Sequence, residues 1–365
     1  MDNTTKMIKE KLNSKEYDFL RTNEITKNGL CYLTLGGSLS YGTNLPGKGD
    51  VDIRGIAMEP ELDITKSLLD MDHFEQLLEP ETDTVIYGFN KITKLLMSCN
   101  PNTIEMVGTK PEHVFYINDI GRLLRDNADA FLSQRAIGSF GGYAGQQLNR
   151  MLNALARDRL EQREKEEHIL RSVKSAMGSF NERYSDFNGG SLNMYIDDSK
   201  NPELNGEIFA DIDLKHYPLR EFNSMLNELG SISRTYNKVN HRNHKKDDEH
   251  LNKHAMHLIR LYLMAIDILK DGKIVTYREK ERNMLLDIRR GKYMNEDGTY
   301  KNEFFELQKE LEDKVNYAAK HTVLPKEPDY SKIFKITETA REMFRDEKER
   351  KVKENVADKV LEEER

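Results

Sequence analysis

Short apolar runs broken by Gly, Pro, Asn and Asp mark the first third of the chain. Leu30–Leu35 (LCYLTL) is apolar almost throughout, which predicts a buried strand. Val51–Met58 predicts a second strand. Thr84–Tyr87 predicts a third, running into a helix over Phe89–Ser98. Asn100-Pro101-Asn102 should stop that helix, because the residue before a proline is pushed out of the α region. Glu79-Pro80-Glu81 and Lys110-Pro111-Glu112 read as loops. Strands alternating with helices give this half an α/β character.

Beyond Asn118 the apolar period becomes helical. Asp119–Asp126 carries Ile120, Leu123 and Leu124, and a long stripe follows through Phe140, Ala144, Leu148, Met151, Leu152 and Leu155. Gly138, Gly141, Gly142 and Gly145 crowd that stripe. Each glycine costs a helix about 1 kcal/mol, so close helix packing is the expected reason for them, and close approach of a ligand the alternative. Residues 156–250 are polar and mixed, with turns at Asn188-Gly189-Gly190 and Asn201-Pro202. Asp248–Leu269 predicts a helix whose Leu251, Ala255, Leu258, Tyr262, Ala265, Ile266 and Leu269 share one side, ended by Asp271-Gly272. Arg341–Arg365 holds 8 basic and 9 acidic side chains and reads as a solvated helical tail.

Composition narrows the classes. Lys and Arg number 56 against 63 Asp and Glu, a formal charge of −7, which argues against a chain built to wrap duplex nucleic acid. No apolar run approaches the ~18 residues of a membrane span, so no membrane partner is expected. Met1–Asn13 is charged and polar, unlike a signal peptide. Two cysteines, Cys31 and Cys99, cannot build a disulfide framework or a four-thiolate zinc site. Buried thiols in a cytoplasmic protein are the expectation.

The chemistry concentrates between Gly36 and Gly55 (GGSLSYGTNLPGKGDVDIRG). Asp50 and Asp52 stand two apart, and on an opening strand both face one side. Paired carboxylates repel unless a cation sits between them. An all-oxygen site with few protein ligands suits Mg²⁺, or Mn²⁺, which also takes substrate phosphates as ligands. Gly36-Gly37-Ser38 follows a predicted strand and precedes a helical turn, where backbone N–H groups and the Ser38 hydroxyl suit phosphate oxygens. Arg54, two past Asp52, shares its face, where it neutralises phosphate or braces a carboxylate. Either element alone is common. The two together, eleven residues apart and each abutting a strand, are specific.

This spacing, G-G-S-x₁₁-D-x-D, resembles the signature of the DNA polymerase β-like nucleotidyltransferase superfamily. The segments GGSLSYGTNLPGKGDVDIRGI, DTVIYGFNKITKLL and NPNTIEM resemble a family of predicted nucleotidyltransferases of bacteria and phages. SFGGYAGQQLNRM and KHAMHLIRLYLMAIDIL are similar to its helical half. Gly49 departs from the serine more often found before the first aspartate, which loosens the turn without removing a ligand.

The resemblance implies an α+β fold, with a small mixed sheet in a polymerase β-like core followed by a mainly helical C-terminal domain. The corresponding division is 1–118 catalytic, 119–335 helical and substrate- or nucleotide-binding, and 336–365 charged tail. It also implies a third metal-binding and catalytic carboxylate on a neighbouring strand. Asp83, at the head of Thr84–Tyr87, fits that place best, Glu105 is the second choice, and Asp72 and Glu75 follow. A lysine of the helical domain is implied to bind the triphosphate, which points to Lys253, with His257 and Arg260 one and two turns on.

Five histidines lie between His241 and His257, at spacings that match no standard zinc site. His250, Lys253, His254, His257 and Arg260 instead share the face opposite the apolar stripe, either a solvated face or a cationic wall toward the nucleotide. Tyr143 and Gln147 are packing residues, or they meet the base or acceptor.

The expected activity is magnesium-dependent transfer of a nucleoside monophosphate from ATP or another NTP or dNTP to an acceptor hydroxyl, with pyrophosphate release. The acceptor is a protein, a small molecule or a nucleic-acid end. The alternatives are template-independent end addition or signalling-oligonucleotide synthesis, and, outside enzymes, a nucleotide sensor or scaffold.

Overall fold

Six residues, Leu30–Leu35, form the first strand of the main sheet. In the computed structural model the described residues are 3–45, 50–60, 74–159, 191–202, 205–215, 248–296 and 298–363, with a few singly between 163 and 230. Three short helices, α1 (Asn3–Leu12), α2 (Phe19–Thr22) and α3 (Glu24–Gly29), lead into β1 (Leu30–Leu35). Then come α4 (Gly37–Tyr41), β2 (Ile53–Ala57), β3 (Gln76–Glu79), β4 (Thr84–Gly88), α5 (Phe89–Met97), α6 (Pro101–Val107) and β5 (Val114–Ile117). The helical part comprises α7 (Asp119–Asp126), α8 (Arg135–Arg159), α9 (Asp248–Asp271), α10 (Arg282–Arg289), α11 (Asn302–His321) and α12 (Tyr330–Glu363). A hairpin of β6 (Ser191–Asp197) and β7 (Glu207–Asp213) lies within the stretch read as polar and mixed.

The main sheet has the order β3-β4-β2-β1-β5. β1 pairs antiparallel with β2 and β5, and β3 with β4, whereas β2 and β4 run parallel. The fold is thus α+β with a mixed sheet. Alternation along the strands splits its apolar residues between two faces. Leu33, Leu35, Ile53, Ala57 and Ile86 pack with Ile8, Leu12, Tyr17 and Leu20 of the N-terminal helices. Tyr32 and Ile56 face the other way, into a larger core with Phe89, Ile92, Leu96, Ile104, Leu261, Met264, Ile268, Ile333 and Ile336. Burying each such side chain stabilises the fold by about 1.5–3 kcal/mol.

Several local expectations change. Asn100-Pro101 ends α5 but also starts α6, because Asn100 Oδ1 accepts the Asn102 N–H at 3.0 Å and Pro101 occupies a first-turn position that needs no N–H. Between Met256 and Leu269, α9 is buried around most of its circumference rather than on one side, Arg260 included. The terminal helix starts ahead of the charged tail, at Tyr330, and its Ile333, Ile336 and Ala340 are core residues, whereas residues 341–350 are largely exposed. Close packing does not account for the four glycines of α8. Among the described residues, a Cβ at Gly138, Gly141, Gly142 or Gly145 would meet nothing within 4 Å. Asn188-Gly189-Gly190 falls outside the described residues.

The contacts divide the chain into two units. The first holds Met1–Gly145, Met256–Asn295 and Tyr300–Arg365, and the second Gln146–Ala255 and Glu296–Thr299. Within the second, the hairpin pairs Ser191 with Asp213 through to Asp197 with Glu207, and Tyr195 stacks on Phe209 at 6.2 Å. Among the described residues no helix is long and apolar enough to cross a membrane.

Candidate active site

The end of β1 and the start of β2 meet at the glycines. The Gly36 N–H donates to the Asp52 carbonyl at 2.8 Å, which carries the β1–β2 ladder one step past the paired residues Leu35 and Ile53. Gly37 has φ +58°, the left-handed region, and a Cβ there would fall 1.9 Å from Asp52 Oδ2. Only glycine lets the carboxylate lie against the turn. Gly36 is also tightly packed, though less so, since its Cβ would meet Arg54 Cγ at 2.8 Å. Ser38 sits in the first turn of α4, its carbonyl accepting the Thr43 N–H at 2.9 Å. The glycine motif and the second aspartate are therefore one structural piece.

Arg54 locks that piece. Its Nη2 donates to Asp52 Oδ1 at 2.9 Å, and its Nη1 donates to the Asp83 and Ile53 carbonyls at 2.8 and 2.9 Å. One oxygen of Asp52 is thus held by a guanidinium and the other abuts the glycine turn. Asp50 is exposed, two residues earlier, next to the undescribed residues 46–49.

Asp83 stands beside Asp52 in the parallel register, because Ile53 pairs with Thr84. Asp83 has φ 50° and ψ 35°, a left-handed conformation that breaks the strand alternation. Its charge acts on Tyr17, in the N-terminal core, and what it offers Arg54 is a backbone carbonyl. Among the described residues, no group of three or more His, Cys, Asp or Glu side chains is placed to hold a metal ion.

Glu105 is buried and fully engaged. Its Oε1 accepts from the Tyr41 hydroxyl at 2.5 Å and its Oε2 from Arg260 Nη1 at 2.8 Å. Arg260 is buried too, with its guanidinium 3.6 Å from the centre of the Tyr41 ring. It is therefore not on a solvated face. His257 meets the same ring edge-on at 6.1 Å. Glu75 pairs with Lys91 at 2.7 Å, and Asp72 lies outside the described residues. Lys253 is exposed on the part of α9 assigned to the second unit, where His254 Nδ1 is 2.9 Å from Gln147 Oε1. The Tyr143 hydroxyl accepts from the Asn100 and Asn102 side chains at 3.2 and 3.4 Å, a packing role. His241 and His244 are outside the described residues.

Sequence reading passed over Tyr41, which ends α4, and the segment that wraps it. The Arg278 N–H donates to the Tyr41 carbonyl at 3.3 Å, and Arg282 Nε donates to the Gly42 carbonyl at 2.9 Å. Tyr277 packs so closely on Gly42 that a Cβ there would meet its ring at 2.6 Å. The aromatic in Gly-Gly-Ser-Leu-Ser-Tyr was a signal in hindsight, whereas nothing local marks Thr276–Arg282.

A small mixed sheet that seats an Asp-x-Asp carboxylate on a Gly-Gly-Ser turn defines a polymerase β-like nucleotidyltransferase core. Residues 8–177 match the model of one such family, described as RlaP, the RNA repair pathway DNA polymerase beta family. The match points to nucleotidyltransferase activity. No curated protein and no solved structure matches the chain.

Proposed function

We propose that the chain transfers a nucleoside monophosphate from an NTP or dNTP to an acceptor hydroxyl. The acceptor oxygen bonds to the α-phosphorus, the bond to the β-phosphate bridge breaks, and pyrophosphate leaves. The observation that carries this reading is the contact of Asp52 with the Gly36–Gly37 turn. It puts a carboxylate oxygen beside backbone able to approach a polyphosphate closely.

Asp50 and Asp52 would hold Mg²⁺, or Mn²⁺. A two-carboxylate donor set fits an ion that fills its other positions with water and substrate phosphates. When bound, the ion supplies charge neutralisation on the phosphates. Gly36, Gly37 and Ser38 face those phosphates, and Arg54 keeps Asp52 oriented through the 2.9 Å ion pair. Positioning and charge neutralisation carry most of this chemistry.

The acceptor favoured is an RNA end, since the family description names an RNA repair pathway. The test is incubation with each labelled NTP, Mg²⁺ and a single-stranded RNA carrying a 3′-hydroxyl, followed by separation of labelled RNA, protein and small molecules. Labelled RNA with equimolar pyrophosphate supports the reading. Label on protein or a small molecule moves the acceptor. Nucleotide-dependent stabilisation with no product in any fraction identifies a sensor, and free phosphate as product identifies a phosphohydrolase.

A further inference from the structure

Three segments distant in sequence converge on the last residues of α4. Glu105 of α6 accepts the Tyr41 hydroxyl at 2.5 Å, and Arg260 of α9 both pairs with Glu105 at 2.8 Å and covers the Tyr41 ring at 3.6 Å. Thr276 ties Glu105 from behind, its hydroxyl donating to the Glu105 carbonyl at 2.6 Å. Arg278 and Arg282 take the carbonyls of Tyr41 and Gly42.

A five-residue helix is too short to hold its own shape in water. Its orientation is set by what grips it, and the grip is all at one end. The other end is Gly37-Ser38, pressed against Asp52. Movement of Tyr41 therefore moves the turn and the carboxylate together, because Gly37 and Asp52 have no slack between them.

The chemistry of the grip is selective. The Glu105 and Arg260 side chains are only 10% and 5% exposed, so each charge depends on the other. Tyr41 offers both a hydroxyl and a ring face, which Phe or Leu would supply only in part. A planar guanidinium can stack on the ring and bond a carboxylate at once, and a lysine cannot. Arg260 is thus spent on orienting α4 rather than on contacting a nucleotide.

We infer that Tyr41, Glu105 and Arg260 form a positioning triad through which the helical half sets the geometry of the phosphate-facing turn, and hence nucleotide affinity. The inference rests on the nucleotide reading of Gly36–Ser38 and Asp52. None of the three is a catalytic residue, since each acts through α4.

The test uses the full chain and two conservative variants, Tyr41→Phe and Arg260→Lys, separately and combined. Amide hydrogen exchange of Gly36–Gly42 is read without ligand, with the β4 amides as internal reference. Affinities for Mg-ATP, Mg-CTP, Mg-GTP and Mg-UTP are measured on the wild type, and the tightest is carried to the variants. Each variant should speed exchange in α4 about tenfold against unchanged β4, and weaken the nucleotide roughly five- to thirtyfold. The double variant should be no worse than the poorer single one, because both remove one coupled unit. If either variant fails to fold, the other still gives both readouts. Variants that bind like a wild type that itself binds overturn this inference alone, as does unchanged exchange in α4. A wild type that binds none of the four overturns the nucleotide reading, and this inference with it.

Discussion

Gly37 and Asp52 show how little room the site leaves at single atoms. Gly37→Ala must fit a Cβ where Asp52 Oδ2 lies, at a φ of +58° that L side chains resist by about 1–2 kcal/mol. The expected outcome is loss of at least about 1 kcal/mol in urea unfolding and at least tenfold in Mg-NTP affinity by calorimetry. Asp83 is expected to behave differently, because its backbone is left-handed at φ 50° and the contact it makes with Arg54 is through its carbonyl. Asp83→Asn, which keeps a side chain tolerant of the left-handed region, should bind Mg-NTP within about threefold of wild type. Binding lost in Asp83→Asn as completely as in Asp52→Asn would show that the carboxylate swings into the site. Arg260→Met tests the buried pair, since it leaves the Glu105 carboxylate buried with no countercharge. A cost of about 3–5 kcal/mol is expected, and one below about 1 kcal/mol would mean that water reaches Glu105. The glycine turn and the aspartates were legible because their spacing and residue types are themselves the signal. Glu105 and Arg260 were not, because an acid and a base 155 positions apart carry no mark of their pairing.

At the scale of elements, apolar periodicity worked where one side of an element is buried without interruption. Leu30–Leu35 and Asp119–Asp126 form just the strand and helix expected. β3 escaped because it has four residues and alternates exposed with half-buried positions at the sheet edge. β5, also four residues long, is the other edge. The β6–β7 hairpin escaped because Asn193, Asp197, Asp211 and Asp213 read as loop, although alternation with Leu192, Met194, Ile196, Ile208 and Ile212 was there to be seen. The glycines of α8 are the clearest departure from propensity. With open space at each Cβ position, Gly141→Ala should stabilise the protein by up to about 1 kcal/mol in urea unfolding. Destabilisation would show that something covers this face in solution.

Over the whole molecule, burial governs the protons. It raises the Cys31 and Cys99 thiols and the hydroxyls of Tyr17, Tyr32, Tyr41, Tyr87 and Tyr262 above their ordinary values. The folded chain keeps protons that the unfolded chain releases near pH 8.5 for thiols and about 10 for phenols. Their contribution to stability is intact below those values and is lost as pH rises through them toward the raised folded ones. The urea midpoint should therefore hold between about pH 7 and 8 and fall steadily from about pH 9 upward, and a midpoint that rises there would contradict this. The central claim rests on Asp52, which is kept where it is by Arg54 and the glycine turn. The most direct measurement is pyrophosphate release from labelled NTP with Mg²⁺ and a 3′-hydroxyl RNA, by wild type and by Asp52→Asn side by side. Wild type should release pyrophosphate in step with label entering RNA, stop when Mg²⁺ is chelated, and lose at least 100-fold in Asp52→Asn. Equal turnover by the two proteins would remove Asp52, and with it the proposed site, from the chemistry.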